Sequence, residues 1–265
     1  MTRDVVPDDS TWRGLVLPFV AVGLVTGVLV AARLLAEVPV AQTAFPARGQ
    51  FVFTTHFMPQ GGAVITTHPG MLRGLKLPYL AILGGFFAFE SLFVALGTGI
   101  ACWRTSSGEW LPPLSALGWL GSYALGVSAL TFSGLWLAGA GVIPSIGVVI
   151  VLLILASVLF VTPAVIIIEQ VDPLTGVTRA VRSFVAHPLR VAGAALLVGY
   201  LGYLFTGVTL LFDTTHVFGY GISAAISTAV GGTVHVVVLL WLYRRGRRDG
   251  EHAADRVSES LLAFK

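Results

Sequence analysis

The feature that most constrains this chain is an uncharged apolar run from Val142 to Ile168. The run is longer than the roughly 20 residues that an α-helix needs to cross about 30 Å of hydrocarbon. Lipid offers no hydrogen bonds to the backbone, so a run of this kind has to form a helix. Hydrophobic residues make up 55% of the chain and charged residues 11%, against about 25% charged in soluble domains. The mean hydropathy is +0.87. The sequence therefore predicts an all-α, polytopic transmembrane helical bundle.

Five other apolar runs have a similar length and predict six spans in all. Their approximate bounds are 14–35, 77–103, 114–137, 142–168, 189–212 and 217–243. We expect a cytoplasmic leader at 1–13, a single membrane domain at 14–243 and a basic cytoplasmic tail at 244–265. A cleaved signal peptide is the alternative for the first run, but its apolar region should be only about 7 to 15 residues long.

Two smaller features of the spans predict how they pack. Gly23 and Gly27 lie four residues apart in the first span and predict a face that lets a neighbouring helix approach closely. Pro163 lies near the end of the fourth span and predicts a kink there, because proline lacks the N–H that a helix needs.

The segment between the fourth and fifth spans has an amphipathic pattern. Asp172 suits a helix N-cap and Pro173 the first helical position, while Pro188 closes the segment. The apolar residues recur at helical spacing, and the arginines and a serine fall on the other side: Val177, Val181, Phe184 and Val185 against Arg179, Arg182 and Ser183. The pattern predicts an interfacial helix over 173–187 that points its arginines at anionic lipid. The expected headgroup contacts are Arg179, Arg182, Arg190, Arg244 and Arg245.

The same segment carries a resemblance. Pro163-Ala164, Glu169, Ala180-Val181-Arg182-Ser183 and Pro188 resemble a segment shared by uncharacterised multi-pass membrane families of bacteria and archaea. Those families are similar to the membrane domain of some glycerophosphodiester phosphodiesterases. The resemblance covers about residues 160–200 and implies an auxiliary membrane domain without a reaction of its own.

Orientation follows from the basic residues in the loops. With the amino terminus in the cytoplasm, twelve Lys and Arg residues lie inside: Arg3, Arg13, Arg104, Arg179, Arg182, Arg190, Arg244, Arg245, Arg247, Arg248, Arg256 and Lys265. Four lie outside: Arg33, Arg48, Arg73 and Lys76. The count predicts a multi-pass protein of the cell membrane with both termini in the cytoplasm. It also explains the net charge of +3 without a nucleic-acid partner.

The longest polar stretch between spans, 37–76, lies outside in this topology. Alternating phenylalanines, a Pro-Gln-Gly-Gly turn and a β-branched run predict a small β-hairpin over 51–68, with a re-entrant loop as the rival. The tripeptide Thr-Thr-His occurs twice here and once after the fifth span. His56, His68 and His216 are therefore weak candidates for a metal site, but their spacing matches no recognised motif. Exposed loop histidines are the simpler interpretation, and we expect no cofactor.

Glu90 lies near the middle of the second span, where a carboxylate is costly and is by default a functional-site hypothesis. Its candidate partner is His235, which shares a small-residue face of the sixth span with Gly231, Ser227 and Ser223. The pair predicts either a structural polar clasp between helices or part of a proton or ion path.

The sequence contains no phosphate loop, no Gly-x-Ser-x-Gly elbow and no His-Glu-x-x-His zinc helix. We therefore expect a non-catalytic membrane scaffold or accessory subunit with a lipid-contacting cytoplasmic surface. Its partners would be membrane lipid and other membrane subunits that pack on small-residue helix faces. The alternative is a transporter or channel component that uses Glu90 and His235. A metal-dependent enzyme is a third hypothesis and depends only on the outer histidines.

Overall fold

A computed structural model describes residues 9–36, 77–138, 142–209 and 217–263. Every regular element in these ranges is an α-helix, which confirms the all-α prediction for this part of the chain. The helices are α1 (Asp9–Ala36), α2 (Leu77–Ser107), α3 (Leu114–Ala138), α4 (Val142–Leu159), α5 (Thr162–Glu169), α6 (Pro173–Ala186), α7 (Pro188–Thr209) and α8 (Val217–Ala263). The hairpin predicted at 51–68 lies outside the described residues.

The chain is a multi-pass membrane protein with five to six spans in its described part. Stretches within α1, α2, α3 and α8 are each long and apolar enough to cross a membrane, and α4 and α5 together form another. Helices α6 and α7 meet at Pro188 with a bend of 108° and supply the sixth if the pair counts as one span. The predicted fifth span, 189–212, overlaps α7 and qualifies only together with α6, so the count of six spans stays a prediction.

The first and last helices form the closest contact in the bundle. A Cβ atom placed on Gly23 would lie 2.4 Å from the carbonyl oxygen of Ala225, and one on Gly27 would lie 2.6 Å from that of Gly221. Only glycine allows two backbones to approach this closely, as in other small-residue interfaces of membrane helices. The close-approach face predicted from Gly23 and Gly27 is confirmed, and its partner is α8.

Phe19 of α1 contacts both α2 and α8 and so relates the depths of these two helices in the bundle. Its ring lies against Gly97 of α2 and Gly232 of α8. A Cβ atom placed on Gly97 would lie 3.6 Å from a carbon of this ring, and one placed on Gly232 would lie 2.4 Å from it. Contacts of Gly14 with Arg104 and of Gly27 with Gly221 show that α2 and α8 both run antiparallel to α1. Helices α2 and α8 are therefore parallel, and Gly97 and Gly232 lie at one depth.

The fourth span is broken. Helix α4 ends at Leu159 and α5 begins at Thr162, just before Pro163. Proline at position 163 cannot donate the hydrogen bond that the Leu159 carbonyl would receive in a continuous helix. A kink was predicted at Pro163, and the structure has a break in the helix at this position, which leaves a short helix, α5, that leads to α6.

Helix α8 extends well beyond the predicted end of the sixth span at residue 243. It continues through the basic cluster to Ala263 without a break in helical assignment. The first part of the basic tail is therefore a continuation of a membrane helix.

Candidate functional site

One end of the bundle carries a polar network that holds α6 in place. Glu169, the last residue of α5, accepts a hydrogen bond from the Tyr243 hydroxyl of α8 at 3.1 Å. Its other carboxylate oxygen forms an ion pair with the Arg179 guanidinium of α6. The Glu169 side chain is only 27% exposed, so water screens these bonds less than at a free surface. A single carboxylate therefore joins the fourth span, the sixth span and the segment between α5 and α7.

The turn from α5 into α6 is built by Gln170 and Asp172. Gln170 has a φ of 51°, in the left-handed region that is common where helices end. The Asp172 carboxylate accepts hydrogen bonds from the Thr175 hydroxyl at 2.6 Å and from the amides of Leu174 and Thr175 at 3.0 and 3.1 Å. These bonds, led by the one from the Thr175 hydroxyl, lower the pKa of the Asp172 carboxyl below its ordinary value. The predicted N-cap is confirmed.

Helix α6 has one face that packs on the protein. Gly176 and Ala180 are buried, and a Cβ atom on Gly176 would lie 2.7 Å from Cγ1 of Ile166 in α5. Val177 and Phe184 are half-buried and pack against the hydrophobic core. The prediction had placed Val177 and Phe184 on one apolar face with Val181 and Val185. In the structure these four residues lie on two different faces of α6, because Val177 and Phe184 turn towards the bundle.

The opposite side of α6 is an apolar stripe that no part of the described structure covers. Leu174, Val181 and Val185 are 77%, 37% and 71% exposed. At 3.6 residues per turn, these three fall within an arc of about 40°. Arg179 and Arg182 occupy the sector between this stripe and the buried face. The helix thus presents an apolar stripe beside a basic one.

The five arginines predicted to contact headgroups have different surroundings. Arg179 is half-exposed and pairs with Glu169. Arg244 donates to the Thr105 carbonyl at the end of α2, at 3.2 Å. Arg190 is half-buried at the start of α7. Arg182 and Arg245 are exposed, and neither pairs with a carboxylate in the described part of the chain.

Glu90 and His235 are both buried within the bundle, at 7% and 1% exposure. Glu90 lies seven residues before Gly97 in α2, and His235 lies three residues after Gly232 in α8. Because Gly97 and Gly232 share one depth in parallel helices, a rise of 1.5 Å per residue separates the two by roughly 15 Å along the bundle. An offset of this size along the bundle disfavours a direct hydrogen bond, and the functional pairing of Glu90 with His235 stays a prediction.

His235 lies instead beside the break in the fourth span. Its ring stacks on Phe160, with the ring centroids 4.6 Å apart and an angle of 17° between the planes. The Tyr123 hydroxyl of α3 donates to the Leu159 carbonyl at 3.4 Å, the group that Pro163 leaves without its helical donor. Sequence reasoning identified Pro163 and His235 separately. It missed Tyr123 and Phe160, whose roles depend on which helices are neighbours.

The outer histidines, His56, His68 and His216, lie outside the described residues. Within the ranges that the structure does describe, no group of three or more His, Cys, Asp or Glu side chains is placed to hold a metal ion.

Comparisons of the chain with protein-family models, with curated proteins and with solved structures find no match.

Proposed function

We propose that this protein is a membrane-embedded scaffold or accessory subunit without catalytic activity, whose cytoplasmic surface contacts lipid through α6. In this proposal the chain has six spans and both termini are in the cytoplasm. The short resemblance around residues 160–200 to auxiliary membrane domains is in keeping with such a role.

The observation that carries the proposal is the combination of anchoring and exposure in α6. Glu169 holds the helix to the bundle through Arg179, while Leu174 and Val185 remain largely exposed beside Arg182. In water such an apolar stripe would be unfavourable, whereas at a bilayer surface it enters the acyl region as the arginines meet the headgroups. A helix that contacts the protein, lipid and headgroups at once lies in the plane of the membrane.

Contacts with other membrane subunits are the second part of the proposal. Helix α3 exposes Gly118, Ser122 and Gly126 at intervals of four residues, and a Cβ atom on either glycine would meet nothing within 4 Å. The interface between α1 and α8 is formed by residues of the same kind, so the exposed α3 face has the composition of a helix-packing surface.

Site-directed labelling tests the position of α6. Cys102 is the only cysteine and is buried, so Cys102→Ala provides a background for single cysteines. In intact cells, a membrane-impermeant maleimide should label Gln60→Cys and spare Ala186→Cys until the membrane is permeabilised. A bilayer-embedded quencher should then quench a fluorophore at Val185→Cys more strongly than one at Arg182→Cys. Labelling of Ala186→Cys in intact cells would reject the proposed topology.

A transporter remains the alternative because Glu90 is buried in a span and the fourth span is broken next to His235. Discontinuous helices and intramembrane acids are both found in transporters. Proteoliposomes that hold a pH dye and a potassium-diffusion potential distinguish the two functions. A scaffold leaves the proton flux at the level of protein-free liposomes, whereas a flux that Glu90→Gln abolishes would establish the transporter.

A further inference from the structure

Helices α6 and α8 come into contact at one residue of each. Gly246 of α8 faces Ser183 of α6, and a Cβ atom on Gly246 would lie 3.6 Å from the Ser183 hydroxyl oxygen. Arg182 and Arg245 are the residues immediately before these two in the chain. Their Cα atoms are therefore 3.8 Å from those of the contact residues. Two long guanidinium side chains, one from each helix, thus start close to this contact.

Two arginines next to this contact have no carboxylate partner within the described part of the chain. Glu169 is occupied by Arg179 and Tyr243, and Asp172 by the first amides of α6. Arg182 and Arg245 are exposed, and neither pairs with these or other carboxylates in the described ranges. Two such arginines beside a half-buried hydroxyl favour an anion with several acceptor oxygens.

The apolar stripe of α6 indicates which kind of anion would bind at this contact. Val181 and Val185 are exposed next to the sector of Arg182, so a ligand held by this arginine has an apolar surface directly beside it. A free phosphate ion would gain nothing from those side chains. An anionic phospholipid would place its phosphate between the arginines and its acyl chain along the valines.

We propose that the contact between α6 and α8 is a binding site for the headgroup of an anionic phospholipid, with Arg182 and Arg245 as its principal ligands. Ser183 supplies a hydroxyl donor next to the contact with Gly246. This inference rests on the proposed position of α6 at the membrane surface. It goes further because it names one site, two arginines and a lipid class.

Binding is measured by native mass spectrometry on the full-length protein in detergent micelles. Dioctanoyl-phosphatidylglycerol is titrated against the wild type, Arg182→Gln, Arg245→Gln, the double variant and Arg13→Gln. Arg13 is the matched control because it is also an exposed arginine, and its neighbour Gly14 contacts Arg104 at the same end of the bundle. Each single substitution in the site should weaken binding about tenfold, as expected for a charge-assisted hydrogen bond. The control should remain within about twofold of the wild type.

Two other ligands and one further variant test whether binding depends on the charge of the lipid, on its acyl chains and on the charge of the two arginines. Dioctanoyl-phosphatidylcholine, which has no net charge, should bind at least about tenfold more weakly than phosphatidylglycerol. Inorganic phosphate should bind more weakly still, because it lacks the acyl chains that would cover the valines. A double lysine variant, Arg182→Lys with Arg245→Lys, should retain most of the binding, because it keeps both charges even if the glutamine variants fold poorly.

Wild-type affinity in the double glutamine variant would overturn the inference. So would an equal loss in Arg13→Gln, which would indicate only a general charge effect. Inorganic phosphate that binds as tightly as the lipid would replace the lipid site with a free-anion site. If labelling places α6 on the cytoplasmic leaflet while the glutamine variants bind normally, the headgroup site fails and the proposed function stands.

Discussion

The close contact between α1 and α8 makes Gly23→Ala the most informative single substitution in this bundle. The added methyl group would lie 2.4 Å from the Ala225 carbonyl oxygen and 3.3 Å from both the amide nitrogen and Cβ of Ala229. The closest of these atoms belongs to the backbone of a helix, so no side-chain rotation relieves the clash. An ordinary contact begins near 3.4 Å, and the two helices would have to separate locally by about 1 Å to restore it.

Two opposing terms set the expected size of the effect. Inserting a methyl group into a well-packed interface costs about 1–3 kcal/mol. Alanine is preferred over glycine within a helix by up to about 1 kcal/mol, which offsets part of that cost. We therefore expect Gly23→Ala to lower the free energy of unfolding by about 1–2 kcal/mol. The same substitution at Gly85 of α2, which is exposed and has no atom within 4 Å of its Cβ position, should be neutral or slightly stabilising.

The measurement is unfolding by sodium dodecyl sulfate in mixed micelles, followed by tryptophan fluorescence and circular dichroism. Wild type, Gly23→Ala and Gly85→Ala are compared at equal detergent composition, because the slope of unfolding depends on it. If Gly23→Ala unfolds at the same detergent fraction as Gly85→Ala, the backbones of α1 and α8 do not approach as described. The reasoning from the two glycines would then be refuted.

Three further predictions concern the polar contacts. Glu169→Gln removes the charge that holds Arg179, so amide hydrogen exchange in α6 should become faster while exchange in α3 stays unchanged. If exchange in α6 matched that of the wild type, Glu169 would not be what holds this helix. Tyr123→Phe removes the donor to the Leu159 carbonyl. In the same unfolding assay it should lower the free energy of unfolding by about 0.6 kcal/mol, the mean for hydrogen bonds between membrane helices. A decrease above about 2 kcal/mol would indicate a further role for the hydroxyl. Because folding lowers the pKa of Asp172 from 3.8, its carboxylate stabilises α6 at neutral pH, and this contribution falls as the pH drops below 3.8. Asp172→Asn keeps an N-cap acceptor and should remove that pH dependence of exchange in α6; an unchanged pH profile would show that another group titrates.

Features that depend on one helix at a time could be predicted from the sequence. Pro163 removes a specific backbone donor, so the break in the fourth span follows from its position alone. Asp172 followed by Pro173 defines the start of α6, because each residue suits one particular position of a helix N-terminus. Gly23 and Gly27 also predicted a close-packed face, although the sequence did not show which helix would pack against it.

Features that depend on the arrangement of helices could not be predicted in the same way. An apolar span packs through van der Waals contacts that many neighbours can supply, so its sequence does not determine its rotation or its partners. The depth of Glu90 relative to His235, for example, is set by the contacts of Phe19 with α2 and α8, and neither span's own sequence contains it. The stacking of His235 on Phe160 is likewise a consequence of helix order that no local pattern contains.

The break in the fourth span and the position of α6 are physically connected. The short α5 after the break ends at Glu169, whose carboxylate lies close to Tyr243 of α8. Arg179 can then reach the same carboxylate from α6, which keeps the apolar stripe of α6 on the outer side of the bundle. If Pro163→Ala restored a continuous helix, the position of α5 relative to α4 would change, and both partners of Glu169 would have to move with it. Faster hydrogen exchange in α6 of that variant, seen together with slower exchange around Leu159, would show that the break determines where α6 lies. Slower exchange around Leu159 with no change in α6 would show that the two features are independent.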